Sequence, residues 1–409
     1  MIYMLLKKSI LRDRQHVRIC GSKSISNRLL VLKRLFGNIT IKNLSTARDT
    51  YLLQKSLEFD REETDIHHAG TAMRFLTSYY AIMQGKTTIL TGSRRMKERP
   101  IQFLVDALRG LGADIQYMEK EGYPPLRIKG KMLSKNFVKI RADVSSQFIT
   151  SLLLIGAKLE NGLVVELQGE VTSRPYLEMT LKLLRDVGIA TEFKDTGIKV
   201  FPSLKNSKNY EYTVESDWSS ASYFYSLAAI GRKSISLSNF GEESLQGDSV
   251  LKKIYEEFFG IKTLQRTQDT VELVPVRNFV YPEFIEFCMN DCPDIAQTAC
   301  VTATALKIPF CITGLSTLKV KETDRLIALQ KELKKIGGET EVTDQSIWSV
   351  QLGKANENIT IETYNDHRMA MCFAPFCLLQ ELEIKDAGVV EKSYPEFWED
   401  LDSVTKKTE

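Results

Sequence analysis

Basic side chains occur beside small or polar clusters at the starts of apolar, helix-like runs. A helix N-terminus has unpaired N–H groups and a partial positive charge, so it attracts anions and disfavours a neighbouring cation. Many cations at such places, in a chain of formal net charge +3, predict a ligand with several anionic groups. Arginine suits two-point contact with carboxylate or phosphate, and lysine acts as a mobile point charge. These cations are Lys23, Arg28, Arg74, Arg95, Lys97, Arg99, Arg174, Lys319, Lys321, Arg325, Arg368 and Lys392.

Each of these positions, taken alone, is also compatible with a simpler role. Ser, Thr, Asp and Asn at a helix start are common N-caps. A single basic side chain is often only part of a solvated charged face. These alternatives stay open for any one cluster.

Two carboxylates and three histidines are candidates for proton transfer. Asp294 lies at the start of a buried helix-like run, and Glu322 lies at the start of a more polar one. An N-cap role for Asp294 and a surface role for Glu322 are the structural alternatives. His67, His68 and His367 are candidates because an unperturbed imidazole changes charge near neutral pH, but a single histidine is more often structural. The sequence motifs of P-loop hydrolases, zinc proteases and serine esterases are absent.

Composition excludes several classes of protein. The chain has 409 residues, 43% hydrophobic and 26% charged, which is typical of a globular protein of two or three domains. With 55 Lys and Arg against 52 Asp and Glu, we expect no binding to nucleic acid through bulk charge. No apolar run reaches the about 18 residues of a membrane span, and residues 1–14 lack a secretory cleavage site.

The seven cysteines are an odd number and lie mostly in apolar stretches. This predicts reduced thiols and a cytoplasmic location. Cys288 and Cys292 are spaced like one half of a zinc site, but no second Cys or His pair lies near them in the sequence. We therefore expect no metal.

Six segments repeat one design, a polar cluster followed by an apolar helical run. They begin at Ser22, Gly70, Ser145, Trp218, Pro293 and Asp366. The spacing is roughly 75 residues after a first step of roughly 48, which indicates structural repeats with a shortened first member. More amphipathic helices are predicted to begin near Ala47, Arg99, Arg174, Gly247, Glu322 and Tyr394.

Short β-branched segments at residues 87–90, 164–167 and 359–362 are predicted strands. The sequence therefore predicts a mixed α/β fold of six units with two helices each. The first helices are apolar along most of their length, as buried helices are, and the second are half polar. We expect buried helices inside, sheets and polar helices outside, and a division into three and three units near residues 215–218.

Several motifs together closely resemble the 5-enolpyruvylshikimate 3-phosphate synthase family, in order from about residue 20 to 392. They are Gly21-Ser-Lys-Ser-Ile-Ser-Asn-Arg, Ala69-Gly-Thr-Ala-Met-Arg, Arg95-Met-Lys-Glu-Arg-Pro-Ile, Val144-Ser-Ser-Gln-Phe, Ser173-Arg-Pro-Tyr, Ser219-Ser-Ala-Ser-Tyr-Phe, Val320-Lys-Glu-Thr-Asp-Arg and Asp366-His-Arg-Met-Ala-Met. The resemblance implies two inside-out α/β barrels, each of three βαβαββ-type repeats. Residues 21–216 would form one domain, residues 1–20 with 217–409 the other, and the active site would lie in the cleft between them.

The resemblance also implies a reaction. The enolpyruvyl group of phosphoenolpyruvate would move to the 5-hydroxyl of shikimate 3-phosphate with release of phosphate, on the route to chorismate and the aromatic amino acids. Neither metal nor organic cofactor is implied, and we expect a monomer. Both substrates carry a phosphate and a carboxylate, in agreement with the many cations.

Roles for individual residues follow from the same resemblance. The implied acid–base residues are Asp294, Glu322, Lys23 and Lys392. Shikimate 3-phosphate would contact Lys23, Ser24, Arg28, Ser145, Ser146, Gln147, Ser173, Tyr176, Asp294, Thr317 and Lys321. Phosphoenolpyruvate would contact Lys23, Gly70, Arg99, Gln147, Arg325, Arg368 and Lys392.

Three residues depart from the family pattern. His68 and Thr317 stand where the family usually has Asn, and Phe75 stands where Pro is common. Because imidazole and hydroxyl groups can still hydrogen-bond an anion, these changes bear on affinity more than on reaction type.

Three other functions are compatible with parts of this pattern. The sister transferase acting on UDP-N-acetylglucosamine typically uses a loop cysteine, and residues 93–99 contain none. RNA 3′-phosphate cyclase is disfavoured by the balanced charge. A binding protein without turnover is disfavoured by Lys23, Asp294, Glu322, Arg325 and Lys392, although His68 and Thr317 leave it open.

Overall fold

The computed structural model describes residues 3–59, 61–203 and 208–408 and divides the chain into two compact units. We call Gly21–Val214 the central unit, and Met1–Cys20 with Glu215–Glu409 the terminal unit. Within the described ranges, no helix is long and apolar enough to cross a membrane.

The helices are numbered along the chain. They are α1 (Lys23–Phe36), α2 (Arg48–Glu58), α3 (Gly70–Ala81), α4 (Arg94–Lys97), α5 (Gln102–Leu111), α6 (Ser146–Gly156), α7 (Arg174–Asp186), α8 (Trp218–Gly231), α9 (Leu251–Phe258), α10 (Ala296–Ala305), α11 (Arg325–Lys335), α12 (His367–Phe373) and α13 (Phe397–Val404). Short 3-10 helices span Gly247–Val250, Pro293–Ile295, Ser316–Val320, Ala374–Leu378 and Ala387–Lys392.

The strands are short. They are β1 (Tyr3–Leu6), β2 (Ser9–Leu11), β3 (Gln15–Val17), β4 (Ile39–Lys42), β5 (Glu63–Asp65), β6 (Thr87–Thr91), β7 (Asp114–Tyr117), β8 (Leu126–Lys129), β9 (Phe137–Arg141), β10 (Leu163–Gln168), β11 (Thr191–Lys194), β12 (Gly197–Val200), β13 (Tyr210–Thr213), β14 (Ile235–Ser238), β15 (Ile261–Thr267), β16 (Thr270–Pro275), β17 (Ile285–Cys288), β18 (Phe310–Thr313), β19 (Gly338–Val342), β20 (Ile347–Leu352), β21 (Thr360–Ile361), β22 (Leu382–Lys385) and β23 (Thr405–Lys407).

Four sheets share one topology. Their strand orders are β5-β6-β8-β7 and β9-β10-β12-β11 in the central unit, and β3-β14-β16-β15 and β17-β18-β20-β19 in the terminal unit. In each sheet the first two strands are parallel and the last two form an antiparallel hairpin. A parallel pair needs a crossover connection, and α3, α6 and α10 supply it within three of these sheets.

Smaller sheets complete each unit. Strand β4 pairs with β13 in parallel in the central unit. The terminal unit has β1-β22-β21 and β2-β23. In the described part of the chain, no hairpin pairs with β4. The shortened first repeat is predicted to lack a strand pair in the stretch that contains Asp60, and Asp60 itself lies outside the described residues.

The most apolar helices are the most buried elements. Nearly every residue of α3, α6, α8, α10 and α12 is buried. Helices α5, α7 and α9 bury only one face. A helix that is apolar all round must be covered on all sides, whereas an amphipathic helix lies at a surface. The burial thus follows the predicted helix types in these helices, whereas in α1, also predicted to be buried, only residues 25–32 are buried. The polar starts of the buried helices carry the candidate functional residues.

Candidate active site

Arg325 is the centre of a charged cluster in the terminal unit. It is the first residue of α11, and its side chain is only 2% exposed. The guanidinium group contacts three carboxylates: Nε donates to Asp366 at 2.6 Å, one terminal nitrogen to Asp294 at 3.0 Å, and the other to Glu322 at 2.9 Å. A buried cation needs such pairing, so this group fixes the geometry of the cluster.

Asp294 lies between several cations. Its Oδ1 is 3.6 Å from Lys321 Nζ, and its Oδ2 is 3.1 Å from an Arg368 terminal nitrogen. Burial raises the pKa of Asp294, but Arg368, Lys321 and Arg325 lower it more, so the net pKa lies well below the usual range. Asp294 is therefore ionised across the physiological range.

Glu322 connects Arg325 with Lys392. Its Oε1 accepts a hydrogen bond from Lys392 Nζ at 2.5 Å, while its Oε2 contacts Arg325. Both side chains are partly accessible, at 14% for Glu322 and 10% for Lys392. This pair can pass a proton between a carboxylate and an amine, because the two groups share a hydrogen bond at the rim of the cluster.

Asp366 explains how α12 delivers Arg368. The Asp366 side chain caps α12 by accepting from the Arg368 backbone N–H at 2.9 Å, and it also holds Arg325. The same carboxylate therefore holds the Arg325 guanidinium group and the backbone start of the helix that carries Arg368. The residue was quoted in a sequence motif but given no role, although an N-cap directly before His-Arg was the available signal.

In the central unit, the Arg28 side chain connects three helices, α1, α6 and α7. Its Nε donates to Thr180 at 2.8 Å, and its terminal nitrogens donate to the carbonyls of Ser24 and Tyr176 and to the Thr150 hydroxyl. Burial lowers the pKa of Arg28 to about 10, with Tyr176 acting in the opposite direction. Among the described residues its partners are neutral, so an anionic ligand would stabilise its charge.

A second cationic position lies at the start of α3. A Cβ atom on Gly70 would lie 2.6 Å from an Arg99 terminal nitrogen and 3.2 Å from one of Arg74. Both arginines are buried, at 7% and 4% exposed. Two guanidinium groups at the N-terminus of a buried helix form a place for a phosphate or carboxylate. Arg74 was recognised as a cation, but only Arg99 was assigned to a substrate.

The start of α6 is tied to that of α3. The Ser145 hydroxyl caps α6 by accepting from the Gln147 N–H at 3.3 Å, and Gln147 Nε2 donates to Thr71 at 3.2 Å. Ser146 is the first residue of the helix. Ser173 precedes α7 in a left-handed conformation with φ of 55° and is 8% exposed.

Two further predicted residues have other contacts or surroundings. Lys23 begins α1, and its Nζ contacts Asp49 at 3.3 Å. Thr317 lies in the 3-10 helix Ser316–Val320, is 8% exposed, and its hydroxyl has no hydrogen-bond partner among the described residues. Asp49 was not predicted to be a site residue. It lies in the first turn of α2, the second helix of its repeat, and an acid at that position is the signal that could have identified it.

The departures from the family pattern also have definite contacts. His68 Nδ1 lies 2.8 Å from the Ser93 hydroxyl, just before α3. Phe75 is buried in α3, and the Arg28 guanidinium carbon lies 5.7 Å from its ring centre.

Solved structures share the whole fold. EPSP synthase from Acinetobacter baumannii superposes with a TM-score of 0.74 at 20% identity and covers 98% of this chain and 99% of its own. The enolpyruvyl transferase NikO from Streptomyces tendae gives 0.74 at 14% identity, covering 100% and 99%. At such identities the likeness defines the mixed α/β fold, one found in enolpyruvyl transferases.

Sequence comparison defines the family. A family model described as EPSP synthase (3-phosphoshikimate 1-carboxyvinyltransferase) matches residues 53–401. The 3-phosphoshikimate 1-carboxyvinyltransferase of Bacteroides fragilis (strain YCH46) is 43% identical over 391 residues, 94% of each chain. That of Mannheimia haemolytica is 35% identical over 432 residues, 97% of this chain and 98% of its own. The chain therefore belongs to the EPSP synthase family, and the resemblance found in its motifs is confirmed.

Proposed function

We infer that the chain is a 3-phosphoshikimate 1-carboxyvinyltransferase. It transfers the enolpyruvyl group of phosphoenolpyruvate to the 5-hydroxyl of shikimate 3-phosphate and releases phosphate, on the way to chorismate and the aromatic amino acids. Membership of the family and the shared name of the relatives support this activity. The structural observation that carries the chemistry is the cluster of Arg325 with Asp294 and Glu322, each carboxylate also paired with a second cation.

We propose that each unit is an inside-out barrel of three βαβαββ repeats, the first repeat being shortened. The recurring strand order of four sheets and the burial of the first helices support this architecture. The domains would be residues 21–216 and residues 1–20 with 217–409.

We propose that different residues bind the different anionic groups of the substrates. For shikimate 3-phosphate, Arg28 would take the carboxylate, because it is a fixed guanidinium with neutral partners. Ser145, Ser146, Ser173 and Lys23 would hold its phosphate. The remaining contacts would come from Ser24, Gln147, Tyr176, Asp294, Thr317 and Lys321.

Phosphoenolpyruvate brings the second pair of anionic groups. The residues proposed to bind it are Lys23, Gly70, Arg99, Gln147, Arg325, Arg368 and Lys392. The Asp366 carboxylate orients the Arg325 guanidinium group, and Ser219 and Asp294 contact that of Arg368, so both groups are held in place before a substrate binds.

The reaction needs a base and an acid. In the forward direction the 5-hydroxyl gives up its proton and its oxygen bonds to C2 of phosphoenolpyruvate, while C3 receives a proton. The resulting tetrahedral intermediate then loses phosphate and a C3 proton to form the product. We assign these proton transfers to Asp294 and Glu322, with Lys23 and Lys392 sharing them. The phosphates and carboxylates of the substrates offset the cations around Asp294, which raises its basicity from the low value of the empty site.

We also propose that the protein works as a monomer in the cytoplasm. Its seven cysteines all lie in the described residues and are free thiols, which suits a reducing compartment.

The direct test is phosphate release from phosphoenolpyruvate by purified protein, with and without shikimate 3-phosphate. Release should require both substrates and fall by about a hundredfold or more in Glu322→Gln, which removes the charge that faces Lys392. Glu339→Gln is the matched control, because Glu339 is 54% exposed and pairs only with Lys334 among the described residues. Release without shikimate 3-phosphate, or none at all, would contradict the proposed reaction.

A further inference from the structure

One buried carboxylate in the terminal unit has no place in the reaction proposed above. Asp248 lies in the 3-10 helix Gly247–Val250 and is 2% exposed. Its Oδ2 accepts a hydrogen bond from the Ser219 hydroxyl, at the start of α8. The Ser219 oxygen in turn lies 3.3 Å from an Arg368 terminal nitrogen. Asp248 is therefore one hydroxyl away from a guanidinium group of the candidate site.

The segment that carries Asp248 is anchored against the start of α8. Gln246 Oε1 accepts from the Trp218 backbone N–H at 3.1 Å. Gln246 Nε2 donates to the Glu215 side chain and to the Ser216 carbonyl, each at 2.8 Å. Gln246 is 6% exposed, so these bonds are shielded from water. They place the Asp248 carboxylate beside Ser219 without depending on a substrate.

The direction of the Ser219 hydroxyl follows from these neighbours. A hydroxyl has one proton, and Arg368 can only donate. When the Ser219 proton points to Asp248, the oxygen lone pairs are free to accept from Arg368. The same guanidinium lies 3.1 Å from Asp294 Oδ2, so the tip of Arg368 is held between Ser219 and Asp294.

We propose that Asp248 is a positioning residue for enolpyruvyl transfer, which orients Arg368 through the Ser219 hydroxyl toward phosphoenolpyruvate. This inference rests on the proposed function, because Arg368 is assigned there to that substrate. Asp248 itself touches neither the substrate nor the reacting atoms. Its charge sets how firmly the Ser219 oxygen accepts from Arg368.

The charged and titratable groups that face Asp248 come from three other elements. Asp217 lies before α8, Arg368 is on α12, and Asp294 and Cys292 lie at the 3-10 helix Pro293–Ile295. Burial and, less strongly, Asp294 raise the pKa of Asp248, whereas Arg368 and the Ser219 hydrogen bond lower it, and the net pKa is about 7. As pH falls from 8 to 6, Asp248 gains a proton and its hold on Ser219 weakens.

Steady-state kinetics of the full-length enzyme test this role. At pH 8 Asp248→Asn should raise the KM for phosphoenolpyruvate by about tenfold, with the KM for shikimate 3-phosphate and kcat changed by less than about threefold. Ser219→Ala should reproduce the effect, and the double variant should be no worse than either single one, since both act through the same hydroxyl. Ser219→Thr, which keeps the hydroxyl, should leave the KM for phosphoenolpyruvate at its wild-type value.

A pH series separates positioning from folding. The ratio of KM values of Asp248→Asn to wild type should approach 1 as pH falls from 8 to 6. Using the ratio cancels the titration of phosphoenolpyruvate itself. A loss confined to packing would instead lower kcat and the free energy of unfolding at every pH.

The outcomes are distinct. An active wild-type enzyme with unchanged KM and pH profile in Asp248→Asn and Ser219→Ala overturns the positioning role alone, as does failure of Ser219→Thr to rescue. If Asp248→Asn does not fold, the serine variants decide in the same way. A wild type that releases no phosphate with both substrates overturns the proposed function and this inference with it.

Discussion

Gly70 lies so close to two arginines that any side chain there must displace one of them. The Cβ of Gly70→Ala would lie 2.6 Å from the tip of Arg99. Because that tip can swing away, we expect a stability change below about 1 kcal/mol. Because Arg99 is proposed to bind phosphoenolpyruvate, we expect the KM for that substrate to rise by about tenfold. Steady-state kinetics with each substrate varied in turn measures the effect.

Gly110→Ala is the matched control for that substitution. Gly110 lies in α5 with nothing within 4 Å of its Cβ position, so alanine there should leave both KM values unchanged. An unchanged KM for phosphoenolpyruvate in Gly70→Ala would contradict the place of Arg99 in the site.

Asp294 links the site to acid stability. Its pKa is lowered by neighbouring cations, so its charge stabilises the fold above its ordinary pKa of about 3.9 and the gain is lost as pH falls below that value. At pH 7, Asp294→Asn leaves Arg368, Lys321 and Arg325 short of an anion and should lower the free energy of unfolding by about 3 kcal/mol. The deficit should shrink at pH 3. Urea unfolding at the two pH values measures it.

The exposed Asp291, three residues earlier, provides the control. Asp291→Asn should change the free energy of unfolding by less than about 0.5 kcal/mol at either pH. An equal deficit in Asp294→Asn at pH 7 and pH 3 would mean that the carboxylate contributes by packing and not by charge.

Several cations and acids predicted from the sequence contact one another in the terminal unit, but residues that hold them were not predicted. Arg325 and Glu322 were found because Lys-Glu-Thr-Asp-Arg is a compact motif. Asp49, Asp248 and Asp366 act on residues far away along the chain, and only folding brings these partners together. Each lies near a helix start, where acidic residues are common because they interact favourably with the helix dipole. Sequence alone therefore could not separate the two roles.

At the scale of elements, one buried glutamate connects α11 with the start of α12. Glu332 is 1% exposed and accepts from the Tyr364 hydroxyl at 2.7 Å, the Glu362 backbone N–H at 3.0 Å and Lys335 Nζ at 2.7 Å. Tyr364 and Asn365 both have positive φ, at 53° and 56°, directly before Asp366. Such backbone is uncommon without glycine and needs support from its surroundings.

Glu332→Ala should therefore loosen the loop that delivers Asp366 and Arg368. We expect the free energy of unfolding to fall by about 3 kcal/mol, because one substitution removes the acceptor of a hydroxyl and of an N–H, and one of the two acceptors of the Lys335 amine. Tyr364→Phe removes a single bond and should cost about 1 kcal/mol. Urea unfolding of both variants measures the difference. Equal losses would mean that Glu332 acts only through Tyr364.

Helix starts show what local sequence could and could not fix. Amphipathic helices predicted near Arg99 and Glu322 begin at Gln102 and Arg325. At the second, a 3-10 helix ends at Val320 and the Asp324 side chain caps α11 by accepting from the Ile327 N–H at 3.2 Å. Apolar periodicity set the existence and type of these helices, while competing caps decided the first turn.

At the scale of the molecule, the central unit interrupts a sheet of the terminal unit. Strand β3 pairs with β14 although the whole central unit separates them along the chain. The family resemblance placed residues 1–20 with residues 217–409, closed by the N-terminal strand, whereas nothing local in residues 15–17 indicated that they pair with a strand more than two hundred residues away. Pairing between strands so far apart in the sequence depends on the tertiary structure and not on local sequence.

The two ends of the central unit meet at one residue. A Cβ on Gly21 would lie 1.9 Å from the Asn43 carbonyl oxygen, and Asn43 Nδ2 donates to the Val214 carbonyl at 2.8 Å. The described strands of this unit pair only with one another. Closed ends and internal pairing are the properties of a domain that folds by itself.

A fragment of residues 21–214 should therefore fold alone, with a single cooperative urea transition and a free energy of unfolding of at least about 5 kcal/mol. It should release no phosphate, because Asp294 and Glu322 belong to the terminal unit. A fragment of residues 21–200 is the matched control: it lacks β13, the partner of β4, and should unfold at lower urea concentration. Circular dichroism and urea titration of both fragments measure this. If the fragment of residues 21–214 shows no cooperative transition, the central unit needs the terminal unit in order to fold. The chain would then fold as one cooperative structure, although the sheets of the central unit are paired internally.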